Sequence, residues 1–300
     1  MGRVAFVFSG QGDQYPGMGK ELAEQYPAAA VVFSMCDSIR PGTSRQCFSG
    51  TEAELKETKN TQPCLYAMEM AAAAVLIQKG ILPDAAAGFS LGELSAAAAG
   101  GIFDYETGFR LVCERALLMH RESQRQESFM AAVLRLSKEE TEELCKKYPQ
   151  VYPANYNCPG QITVSGLAEQ KEAFLSAVKE VGGRAVPLSV SGAFHSPFMK
   201  QAAEDFAAVL SSCNLKMKKS IIPVYSNMTA MPYKEEPKKL LSGQIKSPVL
   251  WEALITQMIA DGIDTFIEIG PGKTLTNMIR KISPQADAHP FSFYLKEDAQ

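Results

Sequence analysis

The sequence predicts an α/β fold in which a smaller β-α-β-β-α-β unit is inserted into a larger α/β domain. Two observations predict it. Short apolar runs such as residues 4–8 alternate with helical stretches in both outer parts of the chain, as in sheets whose buried strands are joined by helices. Between residues 128 and 190 the order of elements becomes that of a ferredoxin-like unit. We therefore expect a discontinuous larger domain, 1–127 with 191–300, and a small domain at 128–190.

The first part of the chain predicts two short buried strands and three helices. Thr61-Gln62-Pro63 is expected to open the first helix, because proline is favoured in the first helical turn. Asp104 is expected to cap the third, because an aspartate accepts hydrogen bonds from the free N–H groups of a first turn. The expected strands are 4–8 and 85–88, and the expected helices are 61–78, 91–99 and about 105–125.

The inserted unit carries its own helix signals. Ser137 and Glu140 have the spacing of a capping box, and Gly182-Gly183 is suited to ending the unit's second helix. Two further strands are expected in the larger domain after the unit, at 223–226 and 265–269. Within the unit the expected strands are 129–136, 151–155, 161–165 and 184–190, and the expected helices are 137–147 and 168–180.

The composition excludes several classes of function. A net charge of −3 over 300 residues argues against a general nucleic-acid-binding surface. The longest apolar run, 71–77, is far short of a membrane span, and the apolar run at the N-terminus is too short for a signal peptide. Seven cysteines without a C-x-x-C motif predict neither a disulfide framework nor a zinc cluster. We expect a cytoplasmic protein with free thiols, no metal, no nucleic-acid partner and no membrane association.

The stretch Gly88-Phe89-Ser90-Leu91-Gly92 has the form G-x-S-x-G between a predicted strand and a predicted helix. In that context the pattern can hold a nucleophilic serine on a sharp turn. The alternative is a tight turn without chemistry, in which Gly92 permits close packing and Ser90 caps the helix. The pattern alone does not decide between these two interpretations.

A serine nucleophile needs a base, because its hydroxyl is weakly nucleophilic unaided. The chain has three histidines. His120 is predicted within a helix and His289 in a polar tail, where packing or solvation explains each. His195 lies among glycine and proline residues that predict a loop, and loops positioned by a rigid scaffold often carry catalysis. His195 is therefore the candidate base by elimination.

Two glycine-rich stretches resemble phosphate-binding loops but lack the glycine spacing that such loops require. In the stretch 10–20, Gln14 stands where a P-loop needs its first glycine, and Glu21 follows where serine or threonine is needed. The stretch 270–274 also lacks the first glycine. Nucleotide hydrolysis is therefore not expected. The glycines of the first stretch instead suit exposed backbone N–H groups, such as those of an oxyanion hole.

Together these blocks resemble the malonyl-CoA:acyl-carrier-protein transacylase family, of the bacterial fatty-acid type or the trans-acting polyketide synthase type. The resemblance covers nearly the whole chain, and an ordered set of blocks is far more specific than any one of them. The blocks are Phe8-Ser9-Gly10-Gln11-Gly12-Asp13-Gln14, Thr61-Gln62-Pro63, Gly88-Phe89-Ser90-Leu91-Gly92-Glu93, Glu114-Arg115-Ala116-Leu117-Leu118-Met119, Asn157-Cys158-Pro159-Gly160-Gln161, Ala193-Phe194-His195-Ser196, Gly243-Gln244-Ile245-Lys246-Ser247-Pro248-Val249 and Glu268-Ile269-Gly270-Pro271-Gly272.

The resemblance implies an α/β-hydrolase-like core with a parallel sheet and a ferredoxin-like insertion. It also implies acyl transfer through a serine–histidine dyad. The implied residues are Ser90 as nucleophile, His195 as general base and acid, Gln244 as the main-chain carbonyl that orients His195, the backbone N–H groups of Gln11 and Leu91 as the oxyanion hole, Arg115 as the partner of the substrate carboxylate, and Phe89, Phe194, Asn157 and Gln161 as substrate-pocket residues.

The implied reaction is a ping-pong transfer of malonyl from malonyl-CoA, a CoA thioester, to the phosphopantetheine thiol of a holo acyl carrier protein. No cofactor is expected to be bound, and a monomer is expected. Arg115 decides the substrate class, because a neutral acetyl group would leave a buried guanidinium unpaired at about 1–3 kcal/mol. A surface arginine would instead be only a solvated charge.

Phe89 is the main departure from the family pattern, which usually has histidine before the serine. Ser9 and Asp13 are smaller departures, where proline and serine are frequent. We interpret Phe89 as a packing replacement that leaves transfer intact. Three alternatives stay open: an acyl-thioester hydrolase on the same scaffold, a non-catalytic docking module of a synthase, and an unrelated esterase. The presence of Arg115 argues against the first, and the presence of the dyad argues against the second.

Overall fold

The structure is a computed structural model that describes residues 2–190, 192–212, 217–234 and 236–295. In these residues the chain forms eight strands and thirteen helices, besides short 3₁₀ turns. The strands are β1 (Val4–Phe8), β2 (Ala85–Gly88), β3 (Ser128–Leu134), β4 (Val151–Cys158), β5 (Gln161–Leu167), β6 (Arg184–Pro187), β7 (Thr265–Ile269) and β8 (Asp287–Pro290). The helices are α1 (Lys20–Gln25), α2 (Pro27–Ile39), α3 (Thr43–Ser49), α4 (Glu52–Lys56), α5 (Thr58–Gln78), α6 (Gly92–Ala99), α7 (Tyr105–Ser123), α8 (Lys138–Lys147), α9 (Lys171–Glu180), α10 (Lys200–Ser212), α11 (Pro237–Gly243), α12 (Trp251–Ala260) and α13 (Thr274–Ile282).

The larger sheet is parallel, with strand order β2-β1-β7-β8. Its central strand β1 is buried along its whole length because both faces of the sheet are covered. Phe6 and Phe8 point into the core that contains α5 and α7, whereas Ala5 and Val7 point to the opposite side, where Trp251 of α12 packs. The continuous apolar run at 4–8 follows from this two-sided burial.

The smaller sheet is antiparallel, with strand order β4-β5-β3-β6, and it is formed by the β-α-β-β-α-β unit. One face packs on α8 and α9, so that Phe129 and Val133 of β3 share a core with Phe174. The alternate residues Met130 and Ala132 face a cleft that is also lined by loops of the larger sheet. The two sheets therefore supply opposite walls of one cleft.

The α/β fold class with a separate antiparallel unit is confirmed. All four strands of the smaller sheet lie within 128–190, while the exact domain boundaries stay a prediction, and Ser191 lies outside the described residues. The predicted capping box forms, because Ser137 Oγ accepts from Glu140 N at 3.1 Å and the Glu140 carboxylate accepts from Ser137 N at 2.7 Å. Asp104 Oδ1 accepts from Thr107 N at 2.7 Å, as the predicted cap of α7.

The prediction that residues 223–226 form a strand is wrong. Only single bridges form there, from Val224 to Ala86 and from Tyr225 to Pro232. The backbone turns back at Ser226, whose N–H donates to Met231 O and whose carbonyl accepts from Ala230 N, so the pairing cannot extend.

Several element boundaries also differ from the sequence-based expectation. Strand β3 ends at Leu134, β5 continues to Leu167, and α9 begins at Lys171. Helix α5 begins at Thr58, three residues before the predicted Thr61, and Pro63 lies inside it. Strand β4 continues to Cys158, and β6 ends at Pro187. None of the helices in the described residues combines the length and hydropathy needed to cross a bilayer.

Candidate active site

Ser90 lies on a sharp turn between β2 and α6. Its φ of 54° is in the left-handed region, which is uncommon for a residue other than glycine. The flanking glycines are required by close approach: a Cβ on Gly88 would lie 1.9 Å from the Gly92 carbonyl carbon, and one on Gly92 would lie 2.3 Å from Phe8 O. The interpretation of Ser90 as a helix cap is wrong, because Leu91 is the N-cap of α6 and no side chain caps it.

The Ser90 hydroxyl is within hydrogen-bonding distance of His195, with 2.7 Å between Oγ and Nε2. His195 is almost fully buried in the loop after β6, and its Nδ1 lies 2.9 Å from the main-chain carbonyl oxygen of Gln244. A carbonyl oxygen can only accept, so Nδ1 must carry the ring proton and Nε2 is left free to accept from Ser90. The predicted dyad and the Gln244 carbonyl are therefore brought together, with His195 in the tautomer that suits a proton acceptor.

The surroundings of His195 favour its neutral form. Burial, and after it the positive charge of Arg115, lower its pKa to about 4. Hydrogen bonds to the backbone of Gln244 and Ser247 oppose the shift. The imidazole is consequently unprotonated at neutral pH, which is the state a general base requires.

Arg115 of α7 is fully buried beneath Ser90 and is not a solvated surface charge. Its Nη1 donates to Gln62 Oε1 at 2.8 Å, and its Nη2 donates to Gln244 Oε1 at 2.7 Å and to Ser90 Oγ at 3.3 Å. Nε is buried and has no hydrogen-bond partner among the described residues. Burial lowers the pKa of the guanidinium only to about 10, so Arg115 keeps its charge at pH 7.

Glu93 supplies a nearby buried carboxyl group. Its Oε2 accepts from Gln244 Nε2 at 2.6 Å, and its Oε1 accepts from the Tyr233 hydroxyl. Burial raises its pKa to about 7, although these hydrogen bonds and the Arg115 charge act in the opposite direction. The Gln244 side chain thus bridges Arg115 and Glu93, while its main chain holds His195.

The predicted oxyanion-hole residues Gln11 and Leu91 both line the cleft beside Ser90. Within the described part of the chain, neither backbone N–H donates to another protein atom, so both are free to donate to a ligand. The loop that carries Gln11 lies tightly against the turn, because a Cβ on Gly10 would be 2.9 Å from Phe89 O.

The cleft has a volume of about 290 Å³, and the predicted pocket residues Phe89, Phe194, Asn157 and Gln161 all line it. The Phe89 ring packs edge-on against Trp251, with 5.5 Å between ring centroids. Asn157 Nδ2 donates to a neighbouring threonine, but its buried Oδ1 has no partner among the described residues. A larger cavity of about 870 Å³ beside α5 and α7 contains none of the predicted residues.

The sequence analysis does not identify Gln62, Glu93 or Asn227 as residues of the site, and Asn227 belongs to it because its Oδ1 accepts from the Ser90 backbone N–H at 2.8 Å. Gln62 and Glu93 lie inside blocks that carry the family resemblance, so their placement in ordered motifs is a signal that could have found them. Asn227 has no such signal, because it directly follows the segment wrongly predicted as a strand.

Comparison with known proteins identifies the family. Residues 5–292 match the family model described as acyl transferase domain. The chain belongs to this family. The malonyl CoA-acyl carrier protein transacylase of Bacillus subtilis (strain 168) is 41% identical over 291 residues, covering 94% of this chain and 91% of that protein. The protein of the same name from Synechocystis sp. (strain ATCC 27184 / PCC 6803 / Kazusa) is 37% identical over 284 residues, covering 94% of each chain.

Solved structures agree with this assignment. The malonyl CoA-acyl carrier protein transacylase of Clostridium perfringens ATCC 13124 has a TM-score of 0.93 at 35% identity, covering 99% of this chain and 97% of that one. A malonyl-transacylase solved in complex with its holo type II polyketide synthase acyl-carrier protein has a TM-score of 0.92 at 32% identity, covering 96% of this chain and 95% of that one. The resemblance and the fold predicted from the sequence are confirmed.

Proposed function

We propose that this protein transfers a malonyl group from malonyl-CoA to the phosphopantetheine thiol of a holo acyl carrier protein through a malonyl-serine intermediate. The observation that carries the proposal is the position of Ser90 Oγ, 2.7 Å from His195 Nε2 and 3.3 Å from Nη2 of the buried Arg115. A serine beside a neutral imidazole suits acyl transfer, and a buried cation at the same atom suits an acyl group that carries a carboxylate.

In the first half-reaction Ser90 Oγ attacks the thioester carbonyl carbon while His195 Nε2 takes the hydroxyl proton. The carbonyl oxygen becomes an oxyanion that accepts hydrogen bonds from the backbone N–H groups of Gln11 and Leu91. Removing one such donor lowers the catalytic rate by about 100- to 1,000-fold. The C–S bond then breaks, and His195 gives its proton to the departing CoA thiol. In the second half-reaction the carrier thiol gives its proton to His195 and attacks the acyl-serine, and Ser90 recovers the proton.

Arg115 favours malonyl over neutral acyl groups. The malonyl carboxylate would pair with the guanidinium, whose Nε has no partner among the described residues. A neutral acyl group would leave the charge unpaired in a buried site, which argues against a hydrolase of neutral thioesters. Because Ser90, His195, Gln244 and Arg115 all belong to one chain, we infer that a monomer suffices. We also infer a cytoplasmic enzyme without a bound cofactor.

The proposal is tested by intact mass after brief exposure of the protein to malonyl-CoA, with acetyl-CoA and methylmalonyl-CoA alongside. The expected result is a malonyl adduct on the wild type, discharged by holo carrier protein and absent from Ser90→Ala. An adduct that water removes as fast as carrier protein does would indicate a hydrolase. The absence of any adduct together with no release of free CoA would indicate a docking module.

The pH dependence of Ser90 acylation follows from the pKa of His195. The base is active when neutral, and its pKa is lowered to about 4, so the rate should be nearly constant from pH 7 down to about pH 5 and fall only below that. Acylation by the neutral ester p-nitrophenyl acetate avoids titration of the malonyl carboxylate, and circular dichroism at each pH controls for unfolding. An inflection at the ordinary histidine value of about 6.5 would contradict the buried, neutral base if it persisted in Glu93→Gln, because Glu93 has its own pKa raised to about 7.

Replacing Phe89 by histidine should change malonyl transfer by less than about tenfold, because the Phe89 ring serves as packing against Trp251. The variant should unfold at an equal or slightly lower temperature, because histidine keeps only part of the apolar packing of the Phe89 ring against Trp251. Steady-state rates and thermal unfolding check this, with Phe89→Leu as the apolar control. A rise in transfer of several orders of magnitude in Phe89→His would show that Phe89 impairs catalysis.

A further inference from the structure

We propose that Asn227 is a positioning residue, which holds the Ser90 turn in its reactive conformation by bridging Gly88 and Ser90. The inference rests on the proposed acyl transfer through Ser90. Asn227 is fully buried in the segment between α10 and α11, far from Ser90 in sequence. It does not line the cleft, so it acts through the turn and not on the substrate.

The Asn227 side chain uses both ends of its amide on the same turn. Its Oδ1 accepts from the Ser90 backbone N–H at 2.8 Å, and its Nδ2 donates to the Gly88 carbonyl at 2.6 Å. Asparagine is the side chain that offers one acceptor and one donor at this short reach. The amide therefore spans the turn from its first residue to its nucleophile.

The turn needs this support because Ser90 is held at a φ of 54°. A serine in the left-handed region is strained, and such a conformation persists only where the surroundings determine it. The Ser90 N–H precedes the hydrogen-bonded turns of α6, so without Asn227 this partly buried donor would have no partner among the described residues. Loss of Asn227 thus removes two hydrogen bonds and permits the turn to relax.

Asn227 also belongs to the polar cluster that fixes the base. Gln244 Nε2 donates to Ser90 O at 2.6 Å and lies 3.5 Å from Asn227 Oδ1. The Asn227 backbone N–H donates to Glu93 Oε1 at 3.3 Å, which fixes the segment itself. Because the Gln244 main chain holds His195, one cluster sets the positions of nucleophile and base together.

The test compares Asn227→Ala and the similarly sized Asn227→Leu with the wild type. The matched control is Ser226→Ala, because Ser226 is buried in the same segment and its Oγ accepts from Met228 N without contacting the turn. Single-turnover malonylation of Ser90 is followed by intact mass over a range of malonyl-CoA concentrations, and thermal unfolding is measured in parallel.

We expect both Asn227 variants to acylate about 100-fold more slowly at saturation, since a displacement of about 1 Å has that effect on a reacting group. The half-saturating malonyl-CoA concentration should change by less than about threefold, and Ser226→Ala should keep the wild-type rate. If Asn227→Ala does not fold, Asn227→Leu, which preserves most of the buried volume, supplies the same comparison.

A merely structural role would lower the unfolding temperature without changing the saturated rate, and that result would overturn the inference. An equal loss of rate in Ser226→Ala would overturn it as well, as would a loss confined to the half-saturating concentration. The proposed function fails separately, by the absence of a malonyl adduct on the wild-type protein.

Discussion

Replacing His195 by alanine should lower malonyl transfer to carrier protein by about 10²- to 10⁶-fold, because general base catalysis alone is worth about 10²- to 10⁴-fold and loss of a triad histidine up to about 10⁶-fold. The reason is geometric. Ser90 Oγ lies 2.7 Å from His195 Nε2, and the Gln244 carbonyl at Nδ1 fixes the tautomer that accepts the proton. Without the imidazole, Ser90 attacks as a neutral hydroxyl and the departing CoA leaves without a proton donor.

The same geometry predicts that the two residues act as a unit. The double variant Ser90→Ala/His195→Ala should transfer malonyl within about threefold of Ser90→Ala alone, because the base has no function once its serine is gone. Transfer is measured with radiolabelled malonyl-CoA and holo carrier protein. His120→Ala is the control, since His120 lies on α7 outside the cleft lining.

His195→Ala activity above about 1% of the wild type would contradict the assignment, because loss of a general base alone is worth about 10²- to 10⁴-fold. Such a result would mean that another group takes the serine proton. Thermal unfolding of each variant separates this outcome from a partly unfolded preparation.

The elements that the sequence predicts well are those with local signals. The continuous apolar residues of β1 reflect burial on both faces, and the caps Ser137 and Asp104 are recognised from residues within the first turn of their helices. Such signals need no knowledge of the rest of the chain. The strand predicted at 223–226 fails because its apolar composition does not reveal the turn at Ser226.

The residues of the candidate site also fall into those with a local sequence signal and those without one. Ser90 and His195 follow from motif and elimination, because each lies in a turn or loop whose glycines and proline are visible in the sequence. The hydrogen bond between Ser90 and Asn227 joins residues 137 positions apart, and the one between Arg115 and Gln244 joins residues 129 positions apart. No pattern within one segment encodes such pairs, so they emerge only when the two sheets and their helices are packed together.

Replacing Arg115 by methionine should invert the acyl preference of the enzyme. Malonyl transfer should fall by at least about 100-fold, because a carboxylate left unpaired in a buried site loses about 3 kcal/mol or more. Acetyl transfer should not fall in parallel, since an acetyl group has no charge to pair and methionine fills much of the same volume. The ratio of the two rates, measured by intact mass after brief exposure to each CoA ester, is the readout.

The matched control is Arg110→Met, because Arg110 lies on the same helix but is exposed and paired with Glu106. Its malonyl-to-acetyl ratio should equal that of the wild type, since an exposed ion pair contributes little. Arg115→Lys should recover only part of the preference, because one ammonium cannot reach Gln62, Gln244 and the substrate in the fork geometry that the guanidinium uses. If Arg115→Met lowered the malonyl and acetyl transfer rates equally, Arg115 would act by holding Gln62 and Gln244 in place around Ser90. Acyl selectivity would then have to arise from the cleft walls.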